Sequence, residues 1–174
     1  QVATHFRAHG TGLLFELYNE PHGRLDSTAW NVLAARALGA VRRTNPTRVV
    51  VIGPTSWNWA GALSALKLPN DAHLVATIHN YAPFAFTHQG AGWTDRKDKL
   101  GFEWTGSPEE IAALNRAFDK ADAWSKANKR PLLLGEFGAY DRGPMESRVR
   151  WTAAVARGAE ARGWSWAYWQ FDSD

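Results

Sequence analysis

Five short apolar runs alternate along the chain with segments of helical periodicity. Each run is closed by Gly, Pro or a polar residue, and apolar runs of this length between turn residues are typical of buried strands. The runs predict strands over 13–19, 48–52, 73–79, 132–136 and 164–171.

The segments between the strands carry helix signals. Asp26 or Ser27 is placed to cap a helix, and Ser107-Pro108 combines a cap with Pro at the first helical position. Residues 1–9 have the pattern of the last turns of a helix that ends at Gly10, and 81–106 reads as a long loop. The remaining segments predict helices over 28–44, 61–66, 108–128 and 144–162.

Strands and helices that alternate through short connections are typical of parallel βαβ units. We therefore expect one α/β domain over residues 1–174. About five strands are predicted, whereas a closed (β/α)8 TIM barrel has eight.

Composition and charge exclude several classes of protein. Hydrophobic residues make up 45% of the 174, and the net charge is +3. The basic residues are dispersed rather than clustered, so we expect no nucleic-acid partner. No apolar run approaches the roughly 20 residues of a membrane-spanning helix, so we expect no membrane partner. The chain has no cysteine, which excludes disulfides and thiol chemistry.

Two of the predicted strands end in a glutamate. Glu20 follows the run 13–19, and Glu136 closes the run 131–135. Two carboxylates that face one cleft can hydrolyse a glycosidic bond, one as the proton donor and the other as the nucleophile. For either glutamate alone, a surface acid that caps a helix or binds a lysine is the more common interpretation.

Other polar and aromatic residues lie at the same ends of the predicted strands. An amide, an imidazole, a phenol and an indole are hard to explain by packing when they occupy equivalent positions. The residues are Asn19, His79, Tyr81 and Trp169. Ten tryptophans in a small domain also suggest flat surfaces for sugar rings, with Trp57 and Trp93 as further candidates. Histidines and acids show no metal-ligand spacing, so we expect no metal and no cofactor.

The motifs in this order resemble glycoside hydrolase family 5. They are Asn19-Glu20-Pro21, His79-Asn80-Tyr81, Leu134-Gly135-Glu136-Phe137-Gly138 and the run from Trp164 to Trp169. The stretch from Ala82 to Trp93 resembles the bacterial endo-β-1,4-glucanase branch of that family. The resemblance implies a partial TIM barrel, about strands four to eight with their helices.

The resemblance also implies roles for the two glutamates. Glu20 would be the general acid/base and Glu136 the nucleophile of a retaining endo-β-1,4-glucanase. Their carboxyls should then lie roughly 5–5.5 Å apart. Tyr81 would hydrogen-bond Glu136 and hold its rotamer.

The remaining site residues would bind the glucan polysaccharide or oligosaccharide. Asn19 would hydrogen-bond the sugar 2-OH, His79 would line the cleft, and Trp169 would lie under the sugar at the cleavage point. Trp57 and Trp93 would be outer platforms, that is, flat surfaces on which sugar rings stack farther from the cleavage point. A polymeric substrate of this class implies an extracellular, secreted enzyme.

The resemblance is incomplete, because the first strands of the family barrel have no counterpart in the chain. An Arg and a His that those strands bring to the family site are absent, and the chain stops at Asp172-Ser173-Asp174 before the last helix. Strands 13–19 and 164–171 would become open sheet edges, so we expect a homo-oligomer. Two alternatives stay open: a catalytically inactive half-barrel that binds polysaccharide or is structural, and a β-mannanase or related β-glycanase.

Overall fold

The computed structural model describes residues 1–171. Asp172-Ser173-Asp174, where the chain is expected to stop before the last helix of the family barrel, lie outside the described part. The chain forms two compact units, the first of residues 1–78 and 124–133, and the second of residues 79–123 and 134 onward. Within the described residues, no helix combines the length and the apolar character that crossing a membrane requires.

A sheet with the strand order β1-β2-β3-β4-β5 is the framework of the fold. The strands are β1 (Phe15–Glu16), β2 (Val50–Ile52), β3 (Leu74–Asn80), β4 (Leu132–Phe137) and β5 (Ser165–Trp166). In the first unit, β1 and β3 both pair with β2 in parallel, with Val50 opposite Phe15 and Leu74. In the second unit, Ala167 N donates to Leu134 O at 3.0 Å and joins β5 to β4.

Helices connect the strands. They are α1 (Val2–His5), α2 (Ser27–Arg42), α3 (Thr55–Asn58), a 3₁₀ helix (Ala60–Ala65), α4 (Phe84–Thr87), α5 (Pro108–Asn128) and α6 (Met145–Glu160). Asp26 caps α2, since its side chain accepts a hydrogen bond from Ala29 N at 2.8 Å. Strand–helix alternation is therefore confirmed, and α4 is a helical turn inside the segment that the sequence predicts as a loop.

The two outermost strands are shorter than predicted. The expected strand over 13–19 is reduced to Phe15–Glu16, and the one over 164–171 to Ser165–Trp166. The prediction of a buried first strand is wrong, because Leu14 and Tyr18 are 45% and 52% exposed. A strand at the end of a sheet has a neighbouring strand on one side only, so its side chains have fewer neighbours than those of a central strand.

Each unit has an apolar core with a tryptophan anchored to the backbone. In the first unit, Trp30 of α2 is buried and its indole Nε1 donates to Gly53 O at 2.8 Å. In the second, buried Trp151 of α6 donates to Ala82 O at 3.0 Å. A buried indole that finds an acceptor keeps the benefit of apolar burial without a lost hydrogen bond.

Two arginines bind segments that precede strands in the first unit. Arg48 donates to the carbonyls of His9 and Leu13 at 2.6 and 2.8 Å, which holds the segment before β1. Arg42 binds both carboxylate oxygens of Asp71 at 2.6 and 3.0 Å. The side-chain hydrogen bond from Arg42 is the main cause that lowers the pKa of Asp71 below its ordinary value of 3.8.

We predict that Asp71→Asn lowers the free energy of unfolding at pH 7 by about 1–3 kcal/mol, because a charged hydrogen bond is lost. A carboxyl with a depressed folded-state pKa stabilises the fold above its unfolded pKa, and this contribution is lost as the pH falls through the folded pKa. The difference between the wild type and the variant should therefore shrink below about pH 4.

Urea denaturation across pH 2.5–7 measures this difference, with Asp98→Asn at an exposed position as the control. A difference that stays constant over the whole range would contradict the role of the ion pair.

Candidate active site

Glu136 lies near the carboxyl end of β4, where two side chains from the end of β3 contact it. Tyr81 Oη donates a hydrogen bond of 2.8 Å to Glu136 Oε2. His79 Nδ1 lies 3.4 Å from the same oxygen, and the two side chains are 3% and 15% exposed. A carboxylate that is nearly buried and contacted by a phenol and an imidazole is a positioned group, not a solvated surface acid.

The strand geometry explains why these three residues meet. His79 and Tyr81 are two positions apart, and residues two apart in an extended chain point to the same side. Both contacts fall on Oε2 and restrict the rotamer of Glu136.

Glu20 follows β1 in an unusual backbone conformation. Its φ is 51°, in the left-handed region that non-glycine residues adopt rarely and at an energetic cost. Its carbonyl oxygen lies 2.6 Å from His22 Nδ1. The His22 ring stacks on Trp57 with centroids 4.8 Å apart and planes 11° apart. Glu20 is therefore placed by its main chain, and that main chain is tied to Trp57 through His22.

The turn that carries Trp57 is also left-handed. Ser56, Trp57 and Asn58 have φ values of 60°, 58° and 55°. Pro21 O accepts a hydrogen bond from Trp57 N at 3.3 Å, and Asn58 is fully buried. A Cβ on Gly53 would overlap the Asn58 side chain, so a residue without a side chain is required there. Trp57 is 55% exposed and is followed directly by the buried Asn58.

Trp169 is joined to the end of β4. Its backbone N–H donates to Phe137 O at 2.9 Å, and its side chain is 56% exposed. A Cβ on Gly138 would overlap the carbonyl oxygen of Trp169. The glycine that follows Phe137 thus permits the close approach that brings Trp169 next to the Glu136 strand.

The structure places the predicted site residues in both units. Asn19, Glu20 and Trp57 belong to the first, and His79, Tyr81, Trp93, Glu136 and Trp169 to the second. Asn19 is exposed, and Trp93 is exposed with its ring edge-on to Tyr140 at a centroid distance of 4.9 Å. The roles assigned to these residues from the sequence stay predictions.

A cavity of about 490 Å³ opens elsewhere in the first unit. Its lining includes Lys67 and Leu68 before β3, and Arg130 before β4, so it lies at the amino ends of these strands. No carboxylate lines it among the residues that the structure describes. Catalytic groups in parallel α/β folds gather at the carboxyl ends of the strands, so we do not assign the chemistry to this cavity.

Two donor atoms near Glu136 could also contact a metal ion. His79 Nδ1 and Glu136 Oε2 offer one nitrogen and one oxygen within the second unit. The absence of a metal and of a cofactor from the chemistry stays a prediction.

The family model described as "Cellulase (glycosyl hydrolase family 5)" matches residues 1–174. The chain belongs to glycosyl hydrolase family 5. The resemblance of the strand-end motifs to this family is thereby confirmed.

Relatives of this family 5 chain include endoglucanases. Endoglucanase H of Acetivibrio thermocellus is 34% identical over 169 residues, which cover 97% of this chain and 18% of that protein. A solved hyperthermophilic endo-β-1,4-glucanase in complex with substrate is 42% identical, with a TM-score of 0.98 over 99% of this chain and 56% of that one. Thermotoga maritima Cel5A in complex with mannotriose is 41% identical, with a TM-score of 0.96 over the same shares.

The chain thus spans about half the length of the solved structures that it matches, and between 18% and 48% of the curated relatives. An α/β fold that superposes on just over half of a family 5 chain is a partial TIM barrel. The predicted fold class is confirmed.

His22 is the residue of this site that the sequence predictions leave out. It contacts both the Glu20 carbonyl and the Trp57 ring, although the two are 37 positions apart in the sequence. In the sequence, only its position two residues after Glu20 indicates that His22 belongs to the site. Its stacking on Trp57 cannot be predicted, because the two residues are far apart along the chain.

We predict that Gly138→Ala destabilises the protein by about 1–3 kcal/mol, because the new methyl group must displace the Trp169 backbone. Chemical denaturation measures the change. Gly12→Ala is the matched control, since a Cβ there meets nothing within 4 Å and should change stability by less than about 0.5 kcal/mol. Equal effects of the two substitutions would show that Gly138 is not needed for the approach.

Proposed function

We propose that this chain carries the catalytic carboxylates of a retaining endo-β-1,4-glucanase that works by double displacement. The observation that carries the proposal is the Glu136 carboxylate, held on Oε2 by Tyr81 and His79 at the end of β4 in a family 5 chain. A positioned, nearly buried carboxylate is suited to attack at an anomeric carbon.

In the first step, Glu136 attacks the anomeric carbon and Glu20 protonates the leaving oxygen, which gives a covalent glycosyl-enzyme. In the second step, Glu20 removes a proton from water as the water attacks the same carbon, and Glu136 leaves. The configuration at the anomeric carbon is retained. A crystal structure should then show the two carboxyls about 5–5.5 Å apart.

The other predicted residues would orient the sugar. Asn19 would hydrogen-bond the 2-OH, a contact that strengthens in the transition state. His79 would line the cleft beside Glu136. The exposed indoles offer flat apolar faces on which sugar rings can stack, with Trp169 nearest the cleavage point. Trp57 and Trp93 would be the outer platforms.

The names of the relatives support a glucan substrate, since Endoglucanase H and the solved endo-β-1,4-glucanase carry that activity in their descriptions. A β-mannanase or related β-glycanase is the second candidate, because Thermotoga maritima Cel5A is described with mannotriose as its substrate. Analysis of the products from soluble glucan and from mannan distinguishes the two.

We predict that Glu136→Ala and Glu20→Ala each reduce hydrolysis of carboxymethylcellulose by at least about 100-fold, because each removes a group that takes part in bond breaking. Reducing-sugar release measures the rate, and proton NMR of the first product tests retention. Glu103→Ala, at an exposed glutamate, should retain wild-type activity.

Substantial turnover by the Glu136→Ala variant would exclude the nucleophile assignment. Binding of the polymer without any hydrolysis by the wild type would instead favour the non-catalytic half-barrel.

Assembly and secretion belong to the same proposal. We expect self-association through the outermost strands, because β1 is a two-residue strand that pairs with β2 alone in the first unit. Light scattering over a range of concentrations should show a dimer or larger species, and a monomer throughout would contradict the expectation. A polymeric substrate implies that the enzyme acts outside the cell.

A further inference from the structure

We propose that Thr87 is a positioning residue that sets the hydrogen bond between Tyr81 and the nucleophile. The inference rests on the proposed role of Glu136. Thr87 ends α4 and is 1% exposed, and its hydroxyl hydrogen-bonds to Tyr81 O and to His88 Nδ1. It acts through Tyr81.

The Thr87 hydroxyl holds the backbone of Tyr81. Thr87 Oγ1 donates a hydrogen bond of 2.6 Å to Tyr81 O, which can only accept. A hydroxyl has one proton, so the second contact of Oγ1, to His88 Nδ1 at 3.0 Å, requires the histidine to donate. Thr87 therefore holds Tyr81 and also selects the His88 tautomer that carries its proton on Nδ1.

The selected His88 ring packs against the phenol of Tyr81. It stacks on Phe84 at a centroid distance of 4.0 Å and meets the Tyr81 ring edge-on at 5.1 Å. Both the main chain and the aromatic ring of Tyr81 are thus held by two consecutive residues. The phenol oxygen at the far end of that ring is the one that donates to Glu136.

Thr87 also contacts the segment that follows Glu136. Its backbone carbonyl accepts a hydrogen bond of 2.8 Å from Tyr140 N, four residues after the glutamate. One buried residue therefore ties the chain that carries Tyr81 to the chain that carries Glu136. Displacements of about 1 Å at a positioning group can change a catalytic rate by about 100-fold. Loss of the Thr87 contacts can therefore lower turnover.

The test compares Thr87→Val, which removes the hydroxyl and keeps the shape, with Thr87→Ser, which keeps the hydroxyl. We expect Thr87→Val to lower kcat on a soluble cello-oligosaccharide by about 10-fold with KM changed by less than about 2-fold, since the substrate-binding surfaces are unaltered. Thr87→Ser should restore kcat to within about 2-fold of the wild type.

Thr94→Val is the matched control, because the Thr94 hydroxyl also donates to a backbone carbonyl, that of Ala91 at 3.1 Å. It should leave kcat unchanged. A fall in kcat with this control as large as with Thr87→Val would overturn the proposal.

A double-mutant cycle separates positioning through Tyr81 from a general loss of structure. In a Tyr81→Phe background the hydrogen bond to Glu136 is already absent, so adding Thr87→Val should lower kcat by less than about 2-fold. Full additivity, with another 10-fold loss, would show that Thr87 does not act through Tyr81.

A crystal structure of Thr87→Val gives a readout that does not depend on turnover. We expect Tyr81 Oη to move beyond hydrogen-bond distance, about 3.5 Å, from Glu136 Oε2. An unchanged distance would overturn the inference even if the activity fell. If the wild type showed no turnover, the proposed function would fail by itself, and this distance would still decide the role of Thr87.

Discussion

The parallel pairing of neighbouring strands determines which functional side chains of this protein can meet. In a parallel pair, both strands end at the same edge of the sheet, so the residues that follow them are brought together. The turn after β2 consequently carries Trp57 to His22, which follows β1. By the same rule, Tyr81 after β3 reaches Glu136 at the end of β4. Parallel pairing thus brings residues that are distant in sequence into contact at one edge of the sheet.

Much of the fold is predictable from the hydrophobic pattern because the central strands and the long helices are covered by neighbours. Strand β3 and helix α2 lie within two residues of their predicted bounds at each end. Strands β1 and β5 are predicted too long, since the length of an outer strand depends on the pairing that a neighbour offers and not on its own apolar run. The sequence of the strand itself does not show how far a neighbouring strand pairs with it.

The candidate site is likewise only partly predictable from the sequence. Acids and aromatic residues at strand ends are visible in the sequence, and Tyr81 lies in the structure where a partner of Glu136 is expected. The contacts of His22 and Thr87 are not visible, because each depends on a backbone conformation that no pattern records. Left-handed φ values at Glu20 and at the turn around Trp57 belong to this class, since non-glycine residues enter that region only when their surroundings impose it.

The contacts described around the two glutamates suit the work proposed for each. Tyr81 and His79 contact Glu136 at Oε2, which suits a nucleophile that must keep one rotamer through two displacements. Glu20 is placed by a strained main chain that the Pro21–Trp57 backbone hydrogen bond and His22 maintain. An acid/base has to gain and lose a proton in each cycle, so positional constraint through the main chain is compatible with its role.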